Sequence, residues 1–358
     1  MSRATTVTTG ALPSIATYIW RTGLAVAQPL LVFEKYGQTI SMPANSGKTI
    51  TFRRFEKLPP LGGGGDYTAT TPSRVLVEGV TPDNVTPTVT DIVFTLTQLG
   101  AYYQYSDISG WVNEVSVDQN LMARTGENMA EVIDYYYRDT ILGGSRYYRV
   151  LDSTNNAATP SRALIAGKMA KALPISTIGR DLFAADAKSI KAMKGSSDGF
   201  GTSAVRESFV AVAHPDLCAD LDTIVPTVVN GSDGFTPVAK YGSLTDLLPG
   251  EYGTLKNVRF IQSTHGKIWA GAGAAVAATG EKSTGGFIDV YGAVVVGQNA
   301  YCAVKFSKDT GKVIYVSADS NSKYDPLNQF SVLRWRATVT GGILNDNWLK
   351  RLECGVTL

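Results

Sequence analysis

Two histidines, three cysteines and one lysine-bearing glycine turn are the residues of this chain best suited to do chemistry. His214 and Cys218 stand four apart on a predicted helix, so they share a face. Two ligands do not make a zinc site, and no further Cys/His pair lies nearby in sequence. The expected role of His214 is to cap that helix. His265, in a Gly/Ser/Thr-rich loop, has the same reading. Cys218, Cys302 and Cys354 are scattered, odd in number and without a C-x-x-C pair, which suits three free thiols in a reducing compartment.

Phosphate chemistry has two candidate loops. "MPANSGKT" (Met42–Thr49) ends like a Walker A motif, but Met42 stands where that motif needs glycine. The motif also requires a helix after the lysine, and a strand-like "KTITF" follows Lys48. A turn at the root of a β-ribbon is the expectation. "GAGAAV" (Gly271–Val276) lacks the third glycine of G-x-G-x-x-G and a surrounding βαβ unit, so a loop is expected. The acids form no recognisable catalytic pair: Glu127, Glu131 and Asp134 are expected on the solvated side of a helix. "SRYYRV" (Ser145–Val150) interleaves arginine with tyrosine, which fits nucleic-acid contact or cation–π packing, and packing is favoured. No complete nucleophile, metal or phosphate site emerges, so no enzyme activity, cofactor or metal is expected.

The bulk properties agree with an ordinary globular chain. It has 358 residues, 44% hydrophobic and 18% charged, with a net charge of +2. A clustered basic excess that would announce nucleic-acid binding is missing from these totals. Arg3, the apolar stretch Ala11–Trp20 and "AVA" at Ala25–Ala27 faintly suggest a signal peptide. Pro13, Ser14, Thr17 and Arg21 interrupt it, and an ordered N-terminal arm on a cytosolic product is expected instead.

Periodicity then places the elements. "KTITFRRF" and the run Thr86–Ile108 alternate with period two, Ile50 and Phe52 on one side, Ile92, Phe94 and Leu96 on another. Between them lie Pro59, Pro60, Gly62, Gly63, Gly64, Gly65, Pro72 and Pro82, the composition of a long β-excursion with an irregular tip. Ser116 and Gln119 form a capping box. Leu121, Met129, Val132, Ile133, Tyr136, Tyr137 and Ile141 continue as one helical stripe, which Gly143 and Gly144 end. A helix is expected over Thr177–Gly195, a buried strand over Phe209–Ala213, and short then long strands to the C-terminus.

This order of elements resembles the major capsid proteins of tailed bacteriophages, the Hong Kong 97-type fold. The residues that carry the resemblance are "PLLVFEKYGQTISMPANSGKTITFRRFEKLPPL" (Pro29–Leu61), "LVEGVTPDNVTPTVTDIVFTLTQLGAYYQYSDI" (Leu76–Ile108), "FVAVAHPDLCADL" (Phe209–Leu221) and "DPLNQFSVLRWRATVTGGILNDNWLKRLECGV" (Asp325–Val356). It implies an α+β fold with an N-terminal arm (1–37) and an extended β-hairpin loop (38–109). A peripheral domain (110–180 and 310–358) would hold a spine helix (116–142), and a central α/β axial domain would span 181–309. Arg53, Arg54, Phe55, Pro59 and Gly62–Gly65 would contact a neighbouring subunit. Tyr136, Tyr137 and Arg138 would lie on the spine helix, and Pro215 and Asp216 in the axial domain. Lys57 lies on the loop, but no partner asparagine can be assigned for an isopeptide crosslink. The implied partners are copies of the chain as pentamers and hexamers, with portal, scaffolding and decoration or cement proteins. Packaged double-stranded DNA would touch a weakly basic inner wall, with Arg124, Arg138, Arg146 and Arg149 as candidates. The implied location is the virion, after assembly in the host cytoplasm, with no membrane contact. A nucleotide-binding enzyme and a secreted or tail-associated binding module are the rival readings.

Overall fold

The protein is described from a computed structural model, over residues 32–56, 78–79, 81, 87–108, 117–151, 156–157, 161–166, 172–191, 207–224, 234–241, 247–276, 280–318 and 327–358. Pro59, Gly62–Gly65, Lys57 and most of the expected N-terminal arm lie outside these, as do Ser116 and the side chain of Gln119. The chain divides into two compact units, residues 45–96 and the rest. No helix among the described residues is long and apolar enough to cross a membrane.

The strands run β1 (Gln38–Met42), β2 (Thr49–Phe55), β3 (Val89–Thr95) and β4 (Thr97–Ser106), followed by a long helix at Val117–Leu142. Next come β5 (Tyr147–Val150), β6 (Asn156–Ala157), a helix at Ala172–Ala184, β7 (Phe209–Ala213) and a short helix at Pro215–Leu221. The remainder is strand: β8 (Thr236–Pro237), β9 (Glu251–Leu255), β10 (Val258–Gln262), β11 (Lys267–Trp269), β12 (Ser283–Thr284) and β13 (Phe287–Ile288). Last are β14 (Val290–Val296), β15 (Tyr301–Phe306), β16 (Lys312–Val316), β17 (Phe330–Ile343) and β18 (Leu349–Cys354).

One sheet is built around β17. β15 and then β16 pair antiparallel along one edge of it, β4 pairs along the other, and β1 pairs parallel to β15. The buried side of β17 is Ser331, Leu333, Trp335, Ala337 and Val339, at period two. It packs on the long helix, whose 26 residues rise about 39 Å. Met129, Ile133, Tyr137 and Ile141 of the helix share that core. Trp335 Nε1 donates to Asn128 Oδ1 at 2.9 Å, tying sheet to helix. A Cβ on Gly341 would lie 2.8 Å from the Tyr137 ring, so glycine lets the two elements close. Gly144 ends the helix for a similar reason: a Cβ there would sit 2.9 Å from Asp346 Oδ1 and 3.1 Å from Leu349.

The second sheet has nine strands in the order β6-β5-β18-β14-β7-β10-β9-β8, with β11 also on β14. β7 and β14 are buried along their whole length, which marks strands covered on both faces. Val210, Val212, Val294 and Val296 point into the core beneath the long helix. Phe209, Ala211, Ala213, Tyr291, Ala293 and Val295 point into a second core with Ile178, Leu182 and Leu217.

Two expectations are corrected. The helix expected over Thr177–Gly195 is Ala172–Ala184. It stops in a Schellman motif: Ala187 N donates to Leu182 O and Asp186 N to Phe183 O, with Asp186 left-handed at φ 56°. An aspartate occupies the place where a glycine would have signalled the end. Asp134 is not on a solvated side but fully buried. β1 and β4, which flank the 45–96 unit in sequence, belong to the β17 sheet.

Candidate assembly surfaces

The 45–96 unit holds the ribbon. Asn45 (φ 65°) and Gly47 (φ 85°) turn the chain after β1, and strand rather than helix follows Lys48, so the Walker-like segment is a turn. Among the described residues β2 and β3 pair antiparallel with each other alone, from Thr49 opposite Thr95 to Phe55 opposite Val89. One face carries Ile50, Phe52, Ile92 and Phe94, with Phe52 and Phe94 edge to face at 5.8 Å. The other carries Phe55, 72% exposed, with Val89 and Val93 also exposed. Arg53 faces Asp91 across the ladder and grips it with two bonds, at 2.8 and 2.9 Å. The hydrogen bond from Arg53 holds the Asp91 carboxyl below the ordinary carboxylate range. Arg54 binds Glu56 at 2.6 Å, and Thr90 donates to the same carboxylate. Both arginines are therefore matched within the ribbon, and the surplus it presents is apolar.

The residues expected on the spine helix are on the long helix but serve different ends. Tyr137 is 1% exposed and belongs to the core. Tyr136 is half-buried against that core. Arg138 donates to the His265 carbonyl at 3.0 Å and lies over the Tyr135 ring at 4.5 Å. Arg149, expected as an inner-wall cation, is buried on Glu353, and Arg146 donates to Asn347. Arg124 is exposed and pairs with Glu127.

Pro215 occupies the first turn of the short helix, where its missing N–H costs nothing. His214 caps that helix as expected, its Nδ1 accepting from Asp216 N at 3.2 Å. Burial pushes the imidazole pKa down, against the pull of Asp216. Asp216 in turn meets Lys282 Nζ at 2.7 Å and accepts from Tyr291 OH at 2.9 Å. Burial opposes its ionisation, but these bonds hold its carboxyl below the usual range. Through Oδ2 the carboxylate ties the short helix to Tyr291 of β14 and to Lys282.

Two polar sites escaped the sequence reading. Asp134 Oδ1 accepts from the backbone N–H of Val32 and of Phe33, both at 2.9 Å, while Oδ2 lies 2.6 Å from His265 Nδ1. The start of the described chain is thereby fastened to the long helix. Ala130, Ile133, Asp134, Tyr137 and Ile141 share the buried stripe, and that spacing was the available signal. The other site is Glu353, fully buried and met by Arg149 at 2.7 Å, Arg162 at 2.9 Å and Arg351 at 2.6 Å. Arg162 also lies over Trp269, and Arg149 over Tyr147, both at 4.1 Å. "SRYYRV" is thus packing. Its acid lies some two hundred residues downstream, beyond the reach of local pattern.

A hollow of about 460 Å³ opens beside His265, Tyr36 and Glu251. Its groups are already spent: Glu251 accepts from Tyr241 OH and Leu248 N, and His265 is held by Asp134. Burial, then Glu251, pushes Tyr36 up to about 12. The three cysteines are buried free thiols, and burial raises Cys218 to about 12 and Cys302 to about 11, away from reactive thiolates.

No family model and no curated relative matches the chain. Solved structures do. The capsid of cyanophage P-SCSP1u aligns at 15% identity and TM-score 0.55, over 90% of this chain and 88% of that one. The mature capsid of bacteriophage PhiM1 aligns at 14% and 0.53, over 90% and 86%. The capsid of Ralstonia phage GP4 aligns at 11% and 0.59, over 91% and 88%. The chain has the fold of the phage capsid proteins, in agreement with the resemblance read from its sequence.

Proposed function

We propose that the chain is the major capsid protein of a tailed phage, assembling as pentamers and hexamers into an icosahedral head that encloses double-stranded DNA. The observation that carries this reading is the ribbon unit: two strands, paired only with each other among the described residues, and partly apolar on both faces. A lone two-stranded ribbon is marginal in water and its edges invite pairing. A second copy that covers it resolves both problems. In this reading residues 1–37 are an N-terminal arm, the long helix is a spine, and Pro215 and Asp216 lie in an axial domain meeting its copies at the capsomer centre. Phe55, Val89 and Val93 supply apolar contact, while Arg53 and Arg54 set the ribbon's polar flank. Portal, scaffolding and decoration proteins complete the particle.

The test is assembly itself. Purified full chain, imaged by negative-stain microscopy, should form closed shells. Phe55→Ser combined with Val93→Ser should leave the circular dichroism spectrum unchanged and prevent closure. So should deletion of Leu61–Thr70. Particles that stay small in the unaltered protein, or normal shells from both altered chains, would remove the reading.

A further inference from the structure

The outer face of the β17 sheet, opposite the long helix, carries a concentration of cations that the net charge of +2 conceals. Arg334 and Arg336 point outward from β17, two residues apart and so about 6.8 Å along the strand. Lys312 of β16 stands directly opposite Arg336 in the ladder. Like charges in that relation repel. Asp309 offsets one of them, meeting Arg336 at 3.1 Å. Arg334 stands opposite Tyr102 of β4, a residue 69% exposed. Beside Tyr102, Gly100 leaves the face bare, and its Cβ would meet Trp335 O at 2.9 Å. A groove of about 450 Å³ runs between Tyr102, Arg334 and Arg336.

We infer that this sheet face is where the subunit touches the phosphate backbone of duplex DNA, through Lys312, Arg334 and Arg336. Bringing phosphates to the face relieves the part of the Lys312–Arg336 repulsion that Asp309 leaves uncompensated. Contacts to phosphate oxygens position a duplex and carry no base information, so attachment through this face is independent of sequence. The assignment rests on the capsid reading, because it supplies the DNA. It displaces Arg138 and Arg149, whose side chains are only 12% and 5% exposed, whereas Arg336 is 51% exposed even beside Asp309. Three contacts make a weak, salt-sensitive attachment, as a wall that DNA must slide past requires.

Fluorescence anisotropy of labelled duplexes with free full-length subunits tests it. Three phosphate contacts predict a slope of log K against log salt near about −2.7, or about a 40-fold loss between 50 and 200 mM salt. Lys312→Gln with Arg334→Gln should reduce this to about 3.5-fold. Arg124→Gln, an exposed cation elsewhere, should leave it at the wild-type value, and duplexes of different sequence should bind alike. Urea midpoints confirm that each variant is folded. Equal slopes for wild type and the double variant overturn the inference alone, with shell closure unaffected. Loss of shell closure in the double variant with DNA binding intact also overturns it, because the face would then be a subunit contact. If the unaltered chain never closes shells, the capsid reading fails first and this assignment with it.

Discussion

Replacing Glu353 with glutamine should be among the most damaging changes of a single side chain in this protein. Glu353 is fully buried, and the side chains of Arg149 and Arg351 beside it are 5% and 9% exposed. Glutamine keeps the volume and removes the charge. Two guanidinium groups are then left in the interior without a counter-ion, and breaking a buried pair in this way costs about 3–5 kcal/mol. Unfolding entropy of about 2 cal/mol/K per residue gives about 0.75 kcal/mol/K over the chain, so a loss of about 4 kcal/mol lowers Tm by about 5 °C. Arg162 is 30% exposed, so Arg162→Gln should cost much less, about 1 kcal/mol. Urea unfolding of the unassembled chain, followed by tryptophan fluorescence, gives both values, with Trp269 stacked on Arg162 as a local reporter. The pH dependence adds a second readout. The arginine bonds outweigh burial and hold the Glu353 carboxyl below its usual range. The folded state therefore binds fewer protons than the unfolded one near pH 4. Its contribution is present above about pH 4.3 and is lost as pH falls through the depressed folded value. Glu353→Gln should flatten that acid limb. A variant within about 0.5 kcal/mol of wild type, or one less stable for Arg162→Gln than for Glu353→Gln, would refute the reasoning.

Asp134→Ala should leave the Val32 and Phe33 amides without an acceptor and destabilise by about 3 kcal/mol, with hydrogen exchange at those two amides rising from a protected level toward that of an open chain. His214 has a depressed pKa, so its folded state binds fewer protons near pH 6. Stability is therefore expected to fall as pH drops below about 6.5, and His214→Asn, which still caps the helix, should abolish that step in a thermal-melt series. Gly144→Ala should cost about 1–3 kcal/mol by pushing Asp346 and Leu349 away, read as a lower urea midpoint.

Where one element's own pattern sets its environment, the sequence was readable. Period two in "KTITFRRF", the stripe ending at Gly143, and the all-apolar Phe209–Ala213 each describe burial that a strand or helix imposes on its own residues. His214 followed by Pro215 states a helix start outright. The misses come from contacts between distant segments. Asp134 reads as a surface acid until Val32, Phe33 and His265 arrive to surround it. Glu353 gains Arg149 and Arg162 from two other segments, and Arg149 looks free until the chain returns as β18. The outward cations of β17 look dilute in sequence, because Lys312 joins Arg334 and Arg336 only through strand pairing. Asp186 ended a helix through a left-handed conformation that aspartate adopts less often than glycine does.

Because β7 and β14 send alternate side chains into two different cores, neither core owns its sheet. Val210 and Phe209 are chain neighbours, yet one seals the space beneath the long helix and the other the space around Leu217. Peeling either layer away strips the same backbone hydrogen bonds that hold the other. The two hydrophobic interiors therefore melt as one. Amides of β7 and β14 should form a single slowest-exchanging class, whichever layer is destabilised first. A blow delivered at the long helix is felt at the short one, with the sheet between them acting as a common wall.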